Sequence, residues 1–439
     1  MDSRNFRILA KDCMMDNDTW RTGINNNDLI IGPSGAGKTR SYVKPNLMQC
    51  NGSFIVADTK GSLIQEVGPL LQRHGYRVIN VDLTAPERSY GYNPLDFIRY
   101  DSQKKCFLAK DILSAANIIS PVESRRDPFW EKSAGMYIAC MISYVLECLP
   151  EEEHTLEYVR RLFAEMGHSG TDVELSNFDR LFRELEQEAP NSFAVSKYRM
   201  FNTARQVKTT FECVRMYIAE HLNPITGAGV EQMYRRPQRI DFRMLGREKT
   251  AVFLTVSDMD RSMDTLASLF YTQALQTLCE SADKDYPDHR LPVPMRLILD
   301  DFATNVVIPD FDKTISVIRS REISVSIILQ SLSQLNAIYG HVRGMTIVNN
   351  CDNCLYLGGQ DVDTAKYISY KSNRTVDTVL NLPLGSAYLF TRGNRPKEVQ
   401  KFDIRKHQRY QELPEAKTGG ITPDRARETP LPDYESVPK

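Results

Sequence analysis

An apolar segment that runs directly into a glycine-rich loop is the feature that most restricts the fold of this chain. Residues Asp28–Ile31 form a candidate strand, Gly32–Gly37 follow as G-P-S-G-A-G, and Lys38 and Thr39 open a helical segment. The octapeptide fits G-x-x-x-x-G-K-[ST], in which backbone N–H groups surround phosphate oxygens, the lysine reaches the β- and γ-phosphates and the hydroxyl binds Mg²⁺. Strand, loop and helix in this order predict a nucleotide-binding α/β domain rather than an ordinary glycine turn.

Six further apolar runs predict the strands that accompany this loop. They are continuous rather than alternating in hydrophobicity, which is typical of strands that are covered on both faces. Helix-sized segments separate the early runs, so we expect an α/β fold with a mostly parallel sheet. The runs lie at 53–57, 76–81, 250–256, 295–299, 324–329 and 354–357.

The pattern of the sequence changes between residues 101 and 236. Helical periodicity with almost no β-branched runs predicts an all-α domain there, and strand patterns resume after it. We therefore expect a discontinuous nucleotide-binding domain of residues 1–100 and 237–405, with residues 101–236 inserted as the all-α domain. Five prolines and mixed charges over residues 406–439 predict an unstructured tail.

Two carboxylates follow the apolar run Leu297–Leu299 at a predicted strand end. Mg²⁺ bound to a nucleotide is held from a neighbouring strand, and hydrolysis needs a group that orients or deprotonates a water. We assign Asp300 to the magnesium ion, together with Thr39, and Asp301 to the position of the catalytic acid. The alternative is a solvated strand end without a role in catalysis.

Three other polar segments are candidates for the same site. Gln330 follows the run 324–329 and could sense the γ-phosphate or the attacking water, or it could form hydrogen bonds without nucleotide contact. Arg319 and Arg321 precede that strand, and either could serve a neighbouring subunit as an arginine finger, although helix arginines are usually solvated. Asp58–Gly61 ends the second strand, where parallel sheets bind ligands, but it also fits a helix N-cap with a glycine turn.

Composition and charge place the chain among globular proteins. Hydrophobic residues make up 41% of the chain and charged residues 25%. Lys and Arg number 55 against 56 for Asp and Glu, so no overall positive charge indicates a nucleic-acid partner. In the best local basic stretch, phosphate contact competes with an ordinary solvated helix face; its residues are Lys197, Arg199, Arg205, Lys208 and Arg215.

The cellular compartment follows from the cysteines and the apolar segments. Nine cysteines without framework spacing and an N-terminus without a signal-peptide core predict a cytosolic protein. Cys351 and Cys354 are interpreted as small buried residues, because no second pair stands at zinc spacing. Residues 134–149 are too short for the ~20 residues of a spanning helix and contain Glu147, so they predict a buried core helix.

As an ordered set, the motifs resemble the VirD4/TraG type IV coupling proteins, the ATPases of bacterial conjugation, and are most similar to the VirD4-like proteins of Gram-positive mobile elements. The resemblance spans nearly all of residues 25–400. Its markers in this sequence are Gly32–Arg40 (GPSGAGKTR), Lys44–Leu47 (KPNL), Asp58–Gly61 (DTKG), Tyr92–Leu95 (YNPL), Asp127–Trp130 (DPFW), Asp300–Phe302 (DDF) and Leu329–Ser331 (LQS).

The resemblance implies a RecA-like nucleotide-binding domain that carries an inserted all-α domain. It also implies a P-loop ATPase that uses ATP and Mg²⁺. The implied site residues are Lys38, Asp301, Gln330 and Arg319 for catalysis, Thr39 and Asp300 for the metal, and Gly32, Ser34, Gly35, Ala36, Gly37, Lys38, Thr39 and Arg40 for the nucleotide.

The same resemblance implies a ring of six subunits that passes single-stranded DNA with its relaxase to a type IV secretion channel. The expected partners are single-stranded DNA, relaxase or relaxosome proteins, channel components and further copies of this chain. Such proteins commonly carry an N-terminal transmembrane region, which this sequence lacks. We expect a cytoplasmic protein at the inner face of the bacterial cell membrane, either a soluble variant or one anchored by another chain.

Departures from the family pattern leave two functional hypotheses open. Asp301 replaces the usual glutamate and is one methylene shorter, and Thr59 replaces the usual proline. The complete set of motifs favours an ATP-driven translocase of DNA or nucleoprotein, whereas Asp301 favours a docking receptor that binds nucleotide and hydrolyses little of it. A DNA translocase of chromosome segregation would not explain the markers at Asn93-Pro94 and Phe129-Trp130.

Overall fold

The computed structural model describes residues 5–122, 126, 128–167, 176–202, 208–302 and 306–417. They form two compact units. The first comprises Met1–Thr84, Asp241–Arg261 and Ala274–Lys439 as far as these are described, and the second comprises Ala85–Ile240 and Ser262–Gln273. The second unit thus begins at Ala85, whereas the sequence predicted a boundary at residue 101. It also includes Ser262–Gln273, a segment that the sequence did not assign to the helical domain.

A sheet of nine strands forms the centre of the first unit. The described strands are, in chain order, β1 (Phe6–Ala10), β2 (Cys13–Asp16), β3 (Asp28–Ile31), β4 (Ser53–Asp58), β5 (Arg77–Asp82), β6 (Tyr100–Asp101), β7 (Cys106–Phe107), β8 (Thr250–Thr255), β9 (Met295–Leu299), β10 (Ile323–Leu329), β11 (Asn353–Tyr356), β12 (Ser386–Thr391) and β13 (Lys397–Gln400). The order across the sheet is β13-β12-β11-β3-β10-β9-β4-β8-β5. From β11 to β5 all pairings are parallel, whereas β12 and β13 pair antiparallel. The predicted α/β fold with a mostly parallel sheet is confirmed.

Helices connect most of the strands of this sheet. The described α-helices are α1 (Thr19–Thr22), α2 (Lys44–Met48), α3 (Leu63–Arg73), α4 (Ala109–Ile119), α5 (Phe129–Cys148), α6 (Leu156–Ala164), α7 (Asn177–Glu188), α8 (Phe193–Asn202), α9 (Lys208–Leu222), α10 (Ala228–Tyr234), α11 (Met244–Arg247), α12 (Asp264–Asp285), α13 (Phe311–Thr314), α14 (Leu332–Tyr339), α15 (His341–Asn349), α16 (Val362–Ser372), α17 (Val376–Leu380) and α18 (Pro414–Lys417). A π-helical turn, Thr39–Val43, precedes α2.

Six of the parallel strands are buried along their whole length, namely β3, β4, β8, β9, β10 and β11. This burial explains why their sequences are continuous apolar runs. Each Leu, Ile or Val side chain that is removed from water contributes ~1.5–3 kcal/mol of hydrophobic free energy. Because these strands are parallel, their carboxyl ends, and the loops that follow them, lie at the same edge of the sheet.

A buried carboxylate joins the first residue of β3 to four neighbouring elements. Asp28 accepts hydrogen bonds from Arg7 Nε on β1 at 2.8 Å and from the Tyr42 hydroxyl at 2.6 Å. It also accepts one from Asn353 Nδ2 on β11 at 3.0 Å, and Arg296 Nη1 on β9 lies 3.4 Å away. Buried charges are stable only when they are paired and hydrogen-bonded. We refer to these five residues as the Asp28 cluster.

The hairpin of β1 and β2 was not predicted from the sequence. It is attached to α2 through Asn46, whose Oδ1 accepts from Ile8 N and whose Nδ2 donates to Ile8 O, both at 2.8 Å. One side chain thus satisfies both backbone groups of a buried strand residue. This contact gives a structural reason for an asparagine in the marker Lys44–Leu47.

The predicted unstructured tail differs from the structure over residues 406–417. This part contains the turn Tyr410–Glu412 and α18, and it buries Leu413 and Glu415. Pro414 occupies the first position of α18, where the missing N–H is not needed, so this proline starts a helix rather than ending one. Residues 418–439 lie outside the described residues.

The second unit is mainly helical and contains α4 to α10, together with a short hairpin of β6 and β7 that was not predicted. Its apolar segment lies in α5, which is buried through its centre, as expected of a core helix. Asn93 Nδ2 donates to Asp96 Oδ1 and to His154 O, both at 2.8 Å, so this marker residue holds a turn. Asp127 lies outside the described residues. Among the described helices, none is both long and apolar enough to cross a membrane.

We predict that Asn46→Ala destabilises the first unit. Two buried backbone groups of Ile8 lose their partners, and an unsatisfied buried group costs ~1–3 kcal/mol. Urea denaturation should therefore give a free energy of unfolding lower by about 2 kcal/mol or more, whereas Asn394→Ala, on an exposed turn, should change it by less than about 0.5 kcal/mol. Equal stabilities of the two variants would contradict the role given to Asn46.

Candidate functional site

A cleft of about 440 Å³ lies where the loops after β3, β4 and β9 meet. Ser34, Gly35, Gly37, Lys38, Thr39 and Arg40 of the glycine-rich loop border it, as do Asp300 and Asp301 after β9. Gly32 and Ala36 do not border the cleft. Gly32 packs closely against Ala36 and Leu357, since a Cβ on Gly32 would lie 3.0 Å from the Cβ atoms of both neighbours.

The loop folds as a phosphate-binding cradle because two of its glycines take backbone angles that other residues avoid. Gly35 and Gly37 have φ angles of 77° and 85°, in the left-handed region that glycine enters without steric cost. The ammonium group of Lys38 lies across the loop, 2.8 Å from Gly32 O and 3.3 Å from Pro33 O. A cation in this concavity can neutralise phosphate charge.

The hydroxyl of Thr39 and the carboxylate of Asp300 lie side by side next to the loop, and both offer oxygen atoms that can bind a metal ion. Thr39 Oγ1 donates to Asp300 Oδ2 at 3.1 Å. Burial, and secondarily the charge of Asp301, raise the pKa of Asp300 to about 6, although Lys38 lowers it. Mg²⁺ prefers oxygen ligands and is commonly held by one or two protein groups together with substrate phosphates. The hydroxyl and the carboxylate fit such an ion.

The carboxylate of Asp301 contacts the side chains of both Lys38 and Gln330. Its Oδ1 lies 3.7 Å from Lys38 Nζ, and Gln330 Nε2 donates to the same oxygen at 3.5 Å. Asp301 has a φ of 50°, a left-handed conformation that costs a non-glycine residue ~1 kcal/mol or more. Gln330 does not border the cleft itself. The structure thus brings together the acid, the lysine and the polar residue that the sequence assigned to catalysis.

The segment Asp58–Gly61 fits both interpretations that the sequence left open. Asp58 is buried, and its two carboxylate oxygens accept hydrogen bonds from Ser62 N and Ile64 N at 3.1 Å, which begins α3. Burial raises the pKa of Asp58 to about 6 in spite of these backbone donors. Asp58, Thr59 and Lys60 also border the cleft. The turn is therefore a helix cap and a wall of the site.

A set of ionic contacts around the cleft was missed by sequence reasoning. Glu415 is buried and pairs with Arg40 at 3.1 Å and with Lys44 at 3.6 Å, and Lys44 also pairs with Glu66. Lys401 donates to Ala36 O at 3.0 Å. The family marker Lys44–Leu47 could have indicated the contacts of Lys44, but not the other contacts. Nothing local in the sequence indicates that residues near 415 return to the glycine-rich loop.

Arg319 and Arg321 lie away from these groups. They form a short 3₁₀ turn, not the end of a longer helix, before β10, whereas Gln330 follows that strand. Seven strand residues separate the two ends by about 20 Å. Arg319 Nη2 donates to Thr19 O at 2.9 Å, and Arg321 forms two 2.8 Å bonds to Asp283. Neither arginine borders the cleft of its own chain.

The predicted basic stretch makes mostly local contacts where it is described. Arg199 pairs with Glu186, Arg215 pairs with Glu212, and Lys197 lies over the ring of Phe193. Such contacts are typical of a solvated helix face. Arg205 lies outside the described residues, and the structure describes only the backbone of Lys208.

Most of this chain is similar in sequence to proteins of bacterial conjugation. A sequence model described as "Type IV secretory system Conjugative DNA transfer" matches residues 4–400. The protein VirD4 of Agrobacterium fabrum is 25% identical over 352 residues, which are 78% of this chain and 48% of that protein. The conjugal transfer protein TraG of Escherichia coli is 20% identical over 369 residues, 79% of this chain and 55% of that protein. This chain spans about half the length of these relatives.

Similar solved structures have the same fold. The bacterial conjugative coupling protein TrwBdeltaN70 superposes with a TM-score of 0.66 at 17% identity, covering 93% of this chain and 90% of that one. VirB4 of Thermoanaerobacter pseudethanolicus superposes with a TM-score of 0.55 at 15% identity, covering 91% and 97%. These matches confirm the predicted RecA-like fold. Because the family model covers most of the sequence, this chain belongs to the type IV secretory system conjugative DNA transfer family, as its resemblance to VirD4/TraG-type coupling proteins predicted.

Proposed function

We propose that this chain is a conjugative coupling ATPase that binds ATP with Mg²⁺, recruits relaxase-bound single-stranded DNA and uses hydrolysis to deliver it to a type IV secretion channel. The observation that carries the proposal is the convergence of Lys38, Thr39, Asp300 and Asp301 in one cleft of a chain from this family, with Gln330 in contact with Asp301 beside it. TrwB, a relative in fold, has been solved with ADP and Mg²⁺ and with non-hydrolysable analogues of ATP and GTP.

The proposed mechanism gives each group one task. Backbone N–H groups of the loop and the Lys38 ammonium bind the phosphates and stabilise the charge that develops during transfer. Thr39 and Asp300 would hold Mg²⁺, which would supply positive charge against the phosphates. Asp301 accepts the proton of the attacking water, and Gln330 orients that carboxylate through the 3.5 Å contact.

The site is proposed to be completed by a second copy of the chain. Arg319 lies at the opposite edge of the sheet from the cleft, so it can serve only the site of another subunit. Arg321 is the less suitable finger, because its Nε and Nη2 are held by Asp283 and its Nη1 donates to Val317 O. A homohexamer, as expected from the family, provides such an arrangement.

Location and partners are part of the same proposal. The relatives VirD4 and TraG are about twice as long as the matched region, and the family is named for conjugative DNA transfer. We propose that the protein acts at the cytoplasmic face of the membrane and contacts relaxosome and channel proteins there. DNA contact is proposed for the α8–α9 region around Lys197 and Arg199.

A docking receptor that hydrolyses little ATP is the second candidate. The observation that favours it is Asp301, whose side chain is one methylene shorter than the usual glutamate and whose backbone is in a left-handed conformation. A water would have to lie closer to this carboxylate. An ATPase assay with and without single-stranded DNA separates the two functions: DNA-stimulated turnover supports the translocase, and nucleotide binding with negligible turnover under both conditions supports the receptor.

We predict that Lys38→Ala abolishes ATP binding while the fold is kept. The variant loses the cation that neutralises β- and γ-phosphate charge, and binding should weaken by a factor of 100 or more, since a charge-assisted contact to a buried anion contributes ~1.5–3 kcal/mol or more. Titration calorimetry measures the affinity, and circular dichroism monitors the fold. Lys397→Ala, on the exposed edge strand β13, is the matched control. A folded Lys38→Ala protein with normal ATP affinity would refute the site.

We also predict that Asp301→Asn spares ATP binding but lowers turnover by about 10²–10⁴, the usual contribution of a general base. Asp300 and Thr39 still hold the metal in this variant, whereas the water loses its proton acceptor. Asp301→Glu keeps the base and should hydrolyse ATP at least as fast as the unaltered protein. Unchanged turnover of Asp301→Asn would show that another residue accepts the proton of the water.

A further inference from the structure

The turn Asp58–Gly61 is closed by a backbone hydrogen bond and is held between a strand and a helix. Gly61 N donates to Asp58 O at 3.3 Å, so that Thr59 and Lys60 occupy the centre of a four-residue turn. Gly61 has a φ of 62°, which only glycine adopts without strain. Strand β4 leads into the turn, and α3 leaves it. The backbone position of Lys60 is therefore defined by two regular elements.

The Asp58 carboxylate provides this rigidity. It is 2% exposed and uses both oxygens on the backbone donors of Ser62 and Ile64. Its hydrogen-bonding capacity is thus directed to the polypeptide rather than to the cleft. Asp58 is a positioning residue, and Lys60 is the group that it positions.

Lys60 differs from the other cations that border the cleft. Lys38 contacts two carbonyl groups and Asp301, Arg40 pairs with Glu415, and Lys44 pairs with Glu66 and Glu415. Lys60 is exposed, and within the described part of the chain its side chain has no hydrogen bond or ion pair. It can therefore bind an anion in the cleft without breaking an existing contact.

The sheet order decides which part of a nucleotide Lys60 can reach. Strands β10 and β9 separate β3 from β4, which places the turn about 14 Å along the sheet from the glycine-rich loop, at about 4.8 Å per strand. Asp300 follows β9, the strand next to β4. Asp300 would hold the Mg²⁺ that accompanies the β- and γ-phosphates, so we place the γ-phosphate end of the nucleotide toward Lys60.

We propose that Lys60 binds the γ-phosphate and makes the site prefer ATP to ADP. The inference rests on the proposed ATPase function and names a residue that distinguishes its substrate from its product. Loss of the γ-phosphate would release Lys60, so this turn would respond to hydrolysis while the glycine-rich loop keeps its contacts with the remaining phosphates.

The test is the affinity of Lys60→Met for a non-hydrolysable ATP analogue and for ADP, each with Mg²⁺. We expect about tenfold weaker binding of the analogue, or about 1.4 kcal/mol, because an exposed lysine loses one charge-assisted contact, and ADP binding within about twofold of the unaltered protein. Lys60→Arg should restore most of the preference. Lys11→Met, on the exposed turn between β1 and β2, is the matched control and should change neither affinity.

Two results would overturn the assignment of Lys60. Unchanged affinity for both ligands would make Lys60 an ordinary solvated lysine, and equal losses for both would place it on the other phosphates. The function is tested separately by the unaltered protein. If that protein hydrolyses ATP while Lys60→Met keeps the full preference for ATP, only the role of Lys60 fails; if it neither binds nor hydrolyses ATP, the proposed function fails as well.

Discussion

The buried carboxylate of Asp28 is the interaction on which the arrangement of the nucleotide site depends. It lies at the start of β3, whose other end continues into the glycine-rich loop, and it bonds to Tyr42 in the helical turn that follows that loop. Arg296 connects it to β9, the strand that ends at Asp300. The cluster thus fixes, from the amino ends of the strands, the distance between the phosphate cradle and the acidic pair. Removal of one partner from a buried ionic cluster typically costs 3–5 kcal/mol.

The proposed catalytic groups lie on separate segments that the parallel sheet brings together. Lys38 and Thr39 follow β3, Asp300 and Asp301 follow β9, and Gln330 follows β10. Since β10 lies between the other two strands, Gln330 is next to both and contacts Asp301. Adjacent parallel strands therefore convert sequence positions almost 300 residues apart into one site. The amino ends of the same strands carry Arg319, which explains why a second subunit is required in the proposed mechanism.

Most strands of the parallel sheet and most residues of the candidate site could be predicted, because the sequence patterns that indicate them are local. A strand buried on both faces is a continuous apolar run, and the glycines and acids of the site directly follow such runs. The edge strand β13 was missed because it is largely exposed and lacks an apolar run, whereas β12 was missed although it is buried over most of its length. Contacts such as those of Arg7 with Asp28 and of Glu415 with Arg40 have no local signal, since each partner alone reads as a surface charge.

The central claim is that each nucleotide site combines a glycine-rich loop from one copy of the chain with Arg319 from another. The most direct measurement is ATP hydrolysis by a mixture of Lys38→Ala and Arg319→Ala subunits, each inactive alone. One variant supplies an intact arginine and the other an intact loop, so activity should return when the two are combined. A mixture that assembles together, by a pull-down of differently tagged subunits, but remains inactive would contradict it.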